Sequence, residues 1–227
     1  MKRRYERNIG TITEMEQQLL AGKSVCVVGC GGLGGGVIEG LVRMGVGRLT
    51  VIDGDVFDET NLNRQVLSNQ DNLGHAKAVE ARLQMKVINS DVQVDSIQAL
   101  LDSDNARGLI YGHDAVVDAL DNIEARLELE LACEEEKLPL IHGAIGGWNG
   151  QVAVVMPGMR LLHDIYDVEE AEEGEPEKPT NPAFTPAVVS AIQVVETVKV
   201  LLGREESLAG RLLTIDLLNQ EYEIIEF

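Results

Sequence analysis

Short apolar runs rich in valine and isoleucine recur along this chain, most of them separated from the next by one stretch of helical periodicity. The runs SVCVVG (24–29), RLTVID (48–53), VQVDSI (92–97) and DAVVDAL (114–120) alternate with LGGGVIEGLVRMG (33–45), HAKAVEARLQMKVIN (75–89) and IEARLELELACEEEK (123–137). Runs that stay apolar at consecutive positions suit strands buried on both faces, and parallel strands of that kind need crossovers the length of a helix. The pattern predicts an α/β fold, a mostly parallel sheet with helices on both faces. LPLIHGAI (138–145) and QVAVVMPG (151–158) have only GGWNG between them, so the sheet is expected to be continued by antiparallel strands. A polar arm and a short amphipathic segment (13–21) precede all of this. A valine-rich helix near residues 185–202, stopped by Gly203, and two strands, RLLTIDL and YEIIEF, follow it.

With 227 residues and 44% hydrophobic composition, the chain can close one good core and is small for two, so 1–227 is expected to form a single domain. Between Asp164 and Glu177 lie eight carboxylates and few apolar residues, which predicts a mobile acidic crossing segment at about 158–183. A net charge of -19 opposes binding to a phosphate backbone, so no nucleic acid partner is expected. No run approaches the roughly 18 apolar residues of a membrane span, and the basic start MKRRYER leads into polar sequence rather than a signal-peptide core. A cytoplasmic protein without a membrane partner is expected. Cys26, Cys30 and Cys133 cannot all pair and show no C-x-x-C spacing, which speaks against structural disulfides and a cysteine zinc site. All three read as core or spacer residues, although Cys30 sits where a helix N-terminus can lower a thiol's pKa.

Gly29, Gly31 and Gly34 form G-x-G-x-x-G between a strand and a helix, where backbone amides and the helix N-terminus can approach phosphate oxygens closely. Asp53 ends the next strand about 20 residues on, placed to bond a ribose hydroxyl. Those features fit a nicotinamide dinucleotide and ATP equally. What separates the two is the stretch that follows: Arg64 and Lys77, with the amides of Asn61 and Asn63, supply more positive charge and more donors than a pyrophosphate calls for. A triphosphate needs them.

Taken together, RYERN (4–8), GCGGLG (29–34), Asp53 with Asp55, NLNRQ (61–65), GHAK (74–77), DALDN (118–122) with Arg126, and GGWNGQV (146–152) resemble the MoeB/ThiF/HesA family, bacterial relatives of the ubiquitin-activating enzymes. The resemblance covers Arg4 to about Gly158 and resumes in the final helix and strands. It implies a Rossmann-like adenylation domain whose nucleotide site is built from Gly29, Gly31, Gly32, Gly34, Asp53, Asp55, Asn61, Arg64, Gln65, Lys77, Asp121 and Asn122. Asp53 would take the ribose, Arg64 and Lys77 the phosphates, and Asp121 a magnesium ion. Arg7 would reach the triphosphate of the other protomer of a homodimer. The implied reaction joins the C-terminal glycine carboxylate of a ubiquitin-like sulfur-carrier protein, ending in Gly-Gly, to the α-phosphorus of ATP and releases pyrophosphate, as in molybdopterin or thiamine biosynthesis.

The chain departs from that family in its cysteines. Many relatives carry two C-x-x-C pairs for structural zinc, and some a cysteine in the crossing segment that takes the activated acyl group; neither is present here. Structural zinc is therefore not expected, and the protein is expected to stop at the adenylate and pass it to a separate sulfur donor. Two other branches remain as alternatives: an enzyme like the tRNA threonylcarbamoyladenosine dehydratases, which the acidity opposes, and a non-catalytic subunit that binds a ubiquitin-like protein, which Arg64, Lys77 and Asp121 oppose. A nicotinamide-linked oxidoreductase is the reading from another class.

Overall fold

The computed structural model describes residues 2–166 and 180–227. Each apolar run forms a strand of one eight-stranded sheet: β1 (Ser24–Val28), β2 (Arg48–Ile52), β3 (Gln93–Ile97), β4 (Ala115–Asp118), β5 (Leu140–Gly146), β6 (Asn149–Val155), β7 (Arg211–Asp216) and β8 (Glu221–Glu226). The order is β3-β2-β1-β4-β5-β6-β7-β8, parallel from β3 through β5 and antiparallel beyond. The helices are α1 (Glu14–Leu20), α2 (Gly32–Met44), α3 (Lys77–Ile88), α4 (Ala106–Ile110), α5 (Ile123–Glu136), α6 (Leu161–Ile165) and α7 (Phe184–Leu202).

The period-two alternation of strand side chains divides the interior into two cores. Val25 and Val27 of β1, Val117 of β4 and Ile141 of β5 point to the core shared with Val37, Ile38 and Leu41 of α2 and Val189 of α7. Cys26 and Val28, Val116 and Leu140 point to the opposite core, shared with Leu129 and Cys133 of α5 and Leu162 of α6. This alternation also sends Asp118, two residues beyond Val116, toward α5.

Three details differ from the sequence expectations. The helix α4 was not anticipated, because ARGLI is one turn flanked by polar residues and too short to show a periodicity. The start of the expected mobile segment is ordered: Leu161 and Leu162 of α6 are buried, and the Leu162 N–H donates to the buried carboxylate of Glu130 at 2.6 Å. Residues 167–179, which hold most of the acidic run, lie outside the described residues. Finally, α7 is long and apolar enough to cross a membrane by length and composition. Its interior polar groups explain it as a core helix instead: Gln193, Glu196 and Thr197 are buried, and Glu196 accepts the Leu208 N–H at 2.7 Å.

The N-terminal arm is a short 3-10 helix, Arg3–Asn8, anchored by Tyr5. The Tyr5 hydroxyl accepts from Asn89 Nδ2 at 2.8 Å, and its ring fills the space over Gly45, where a Cβ would come within 2.6 Å of it. Gly45 is in the left-handed region at φ 80° and caps α2, so the arm is tied to the C-terminal end of that helix.

Candidate nucleotide site at the carboxyl ends of β1, β2 and β4

The strand order reverses between β1 and β4, and the helices that follow them, α2 and α5, pack on opposite faces of the sheet. Such a reversal leaves a crevice beyond the carboxyl ends of the strands. The glycine turn fills its floor. Gly29 donates to Ile52 O at 2.8 Å and takes φ 98°, and a Cβ there would stand 2.5 Å from Ala119 O. A Cβ on Gly34 would stand 1.8 Å from Gly29 O. The glycines therefore let the turn, the start of α2 and the end of β4 share one small volume. Gly31 is the N-cap of α2 and offers no side-chain cap, leaving the first amides of a 13-residue helix open to an anion.

Around this floor stand the predicted polar residues. Asp53 accepts the Cys30 N–H at 2.7 Å and the Asp55 N–H at 2.8 Å, so it first ties β2 to the glycine turn. A carboxylate has about four acceptor sites, which leaves two for a ribose. Burial pushes the Asp53 pKa up, opposed by those two N–H groups and by the nearby Lys77 charge. Lys77, at the first turn of α3, is buried, and its Nζ lies 3.0 Å from the exposed carboxylate of Asp55. Its charge is felt at Asp53 and Cys30 alike, which places it beside the glycine turn.

Arg64 lays its side chain against the helix start, with Cγ 3.7 Å from where a Gly32 Cβ would be. Its Nη1 donates to Thr60 O at 3.1 Å and Asn63 Oδ1 at 2.9 Å, and it has no carboxylate partner among the described residues. Gln65 is buried with Nε2 3.6 Å from the Cβ position of Gly31 and with Oε1 lacking any partner among the described residues. An orphaned buried acceptor at that point costs stability unless a ligand donates to it. Asn61 builds this loop, accepting the Asp58 N–H on its Oδ1 at 3.0 Å, and Asn122 caps α5 through the Ala125 N–H at 2.8 Å. Asp121 lies in the turn after β4, exposed and without a hydrogen-bond or ion-pair partner among the described residues.

Arg7 is not brought to this crevice. Its arm is fastened at the C-terminal end of α2, about 20 Å from the glycine turn by the rise of a helix of this length.

Residues 5–227 match the ThiF family. The chain belongs to that family. It is 36% identical to the SAMP-activating enzyme E1 of Haloferax volcanii over 99% of this chain and 84% of that protein. It is 33% identical to the molybdopterin-synthase adenylyltransferase of Haemophilus influenzae over 94% and 89%, and 36% identical to the sulfur carrier protein adenylyltransferase of Thermus thermophilus over 91% and 79%. A crystal structure of E. coli MccB with ATP superposes with a TM-score of 0.86 over 100% of this chain and 72% of that chain; at 23% identity this speaks for the fold alone. As a ThiF-family chain whose named relatives are adenylyltransferases, the protein is an enzyme of the nucleotidyltransferase class.

Magnesium suits the donor set of this ThiF-family site. It is typically held by one or two carboxylates, with substrate phosphates and water completing the shell. Asp121 is a free hard donor of that kind, and among the described residues no three His, Cys, Asp or Glu gather into a protein-only cage.

Two further groups at the strand ends are set by burial. Cys30 is a core residue as expected and not an activated thiol: burial first, then the Asp53 charge, pushes its pKa well up against the opposing Lys77 charge. Asp118, at the end of β4, is fully buried opposite His142 of the neighbouring strand. His142 Nδ1 and Asp118 Oδ2 are 2.6 Å apart, and Arg126 Nη1 and His142 Nε2 both reach the Tyr166 hydroxyl, at 3.0 and 3.1 Å. Only register reveals that pairing, since Asp118 and His142 are far apart along the chain.

Proposed function

We propose that this ThiF-family chain is an ATP- and magnesium-dependent adenylyltransferase, acting in the cytoplasm on the C-terminal glycine carboxylate of a ubiquitin-like sulfur-carrier protein of the molybdopterin or thiamine type. The observation that carries the reading is the set of groups around the glycine turn: the open amides of α2, the Lys77 ammonium, the Arg64 guanidinium and the unpaired Gln65 amide. They suit a polyanion with a sugar attached. A terminal carboxylate, with a pKa of roughly 3.5, is already ionised at neutral pH, so attack on the α-phosphorus needs no general base. As its oxygen bonds to phosphorus, the bond to pyrophosphate breaks and charge accumulates on the leaving group. Lys77 and Arg64 would hold that charge in place, Asp53 would fix the ribose, and the Gly31–Gly34 amides would fix the phosphates. Magnesium, held by Asp121, would supply further neutralisation of the phosphate oxygens.

The acceptor chemistry supports a stop at the adenylate. All three cysteines are buried, with burial pushing the Cys26 thiol up to about 12 and the Cys133 thiol up as well. None is available to take the acyl group, so a separate sulfur donor would do so. A homodimer completes the reading. Arg7 is far from its own glycine turn yet exposed, and α7 presents Phe184, Ala187, Ala191 and Val195 outward as an apolar stripe that a second copy could cover.

The test is ATP–pyrophosphate exchange in the presence of each small Gly-Gly-ended protein of the same organism. Binding of NADH, with no exchange for any carrier, would exclude adenylation. Arg7→Ala is expected to lower exchange without preventing dimer formation. Mixing it with Lys77→Ala should partly restore activity, since each mixed dimer keeps one composite site intact. Absence of recovery with confirmed subunit swapping would mean that Arg7 does not act across subunits.

A further inference from the structure

The buried polar groups beyond β4 form a closed loop of hydrogen bonds. Arg126 Nη1 donates to the Tyr166 hydroxyl at 3.0 Å; that hydroxyl lies 3.1 Å from His142 Nε2; His142 Nδ1 lies 2.6 Å from Asp118 Oδ2. Asp118 Oδ1 accepts the Leu120 N–H at 2.9 Å, and Leu120 O accepts from Arg126 Nη2 at 2.6 Å, which returns the loop to its start. The directions are mutually consistent. Burial keeps the imidazole neutral by lowering its pKa, so its one N–H goes to the carboxylate and Nε2 accepts from the tyrosine. Gln151 Nε2 adds a second donor to the Tyr166 oxygen at 2.5 Å.

The loop closes around a single residue, Leu120. Both the N–H and the C=O of Leu120 are taken by side chains rather than by the sheet. On one side the turn is pinned by the Ala119 N–H to Val28 O at 2.9 Å, and on the other by the Asn122 cap. Between those restraints Asp121 is the residue with no partner among the described residues. A buried charged network costs desolvation that apolar side chains would avoid, so stability alone is a weak account of it.

We propose that His142 and Tyr166 are positioning residues for Asp121, acting through the Asp118–Leu120–Arg126 loop to hold the turn that carries its carboxylate. This rests on the reading of Asp121 as the magnesium ligand. Groups bonded directly to a metal ligand typically change metal affinity about 10- to 100-fold when replaced, and residues acting through the backbone of the adjoining turn belong at the low end of that range.

The test uses Mn2+ as the probe, its affinity measured by electron paramagnetic resonance on the full chain with a non-hydrolysable ATP analogue bound. Tyr166→Phe removes one oxygen and opens the loop at both the Arg126 and the His142 link. His142→Asn keeps a donor for Asp118 and opens the His142 link alone. Each is expected to weaken Mn2+ binding about tenfold, with the affinity of the analogue in the absence of metal unchanged, and the double variant should be no weaker than Tyr166→Phe, which already lacks the bond that His142→Asn removes. Mn2+ affinity within twofold of the parent protein in Tyr166→Phe, or a parallel fall in metal-free analogue affinity, would overturn the proposal. Asp121→Asn separates the two levels. If it binds Mn2+ like the parent, the metal-ligand reading fails and the positioning role with it; if it loses Mn2+ while the loop variants do not, the positioning role alone fails.

Discussion

Replacing Lys77 by alanine is expected to lower ATP–pyrophosphate exchange about a hundredfold or more, the effect of removing one fixed group that meets developing charge, about 3–4 kcal/mol. The fold should survive the change, and the reason lies in how the pair is buried. Lys77 is the enclosed partner, while Asp55 is 64% exposed at its side chain. Losing the lysine therefore leaves a carboxylate that water can solvate, not a stranded interior charge. A truncated methylene chain adds a modest packing loss. Circular dichroism and the unfolding midpoint should accordingly stay close to those of the parent while exchange collapses. If exchange falls only in proportion to the folded fraction, Lys77 is a structural cation and the assignment of the phosphate site fails.

The opposite balance is expected at Asp118. Asp118→Ala removes the buried carboxylate that faces His142 and Arg126, whose Nε lies 3.7 Å from it and has no hydrogen-bond partner among the described residues. The guanidinium is then left with its nearest counter-charge gone, and breaking a buried pair in this way typically costs about 3–5 kcal/mol. For a chain of this size that corresponds to a fall in Tm of roughly 10 °C. Asp118→Asn, which keeps an acceptor for the Leu120 N–H, should cost less. Urea unfolding of the three proteins checks both statements; an alanine variant within about 1 kcal/mol of the parent would show that the loop contributes little to stability, since that is the ordinary scale of a single substitution.

How far the sequence reveals this molecule depends on the range of the interaction involved. The strands and longer helices were legible because valine-rich runs and helical periodicity are local signals, and Gly203 marks the end of α7 as expected, in the left-handed conformation at φ 67°. The glycine turn was legible for the same reason. Its polar neighbours Arg64 and Lys77 were reached through their charge and Gln65 through the family resemblance, and the structure brings all three to the turn. The Asp118–His142 pairing was not legible: it depends on the β4–β5 register and on α5 and Tyr166 folding over the strand ends. Nor did the sequence disclose the double duty of Asp53, which braces two stretches of backbone before any ligand arrives.

The enclosure of every sulfhydryl carries a practical consequence. With Cys26, Cys30 and Cys133 all shut inside the two cores, a maleimide reagent can reach them only when the molecule opens. The native enzyme is thus its own clock for opening, read by mass as each alkyl group is gained. A single cysteine placed on the surface would carry a fluorophore with no competing label.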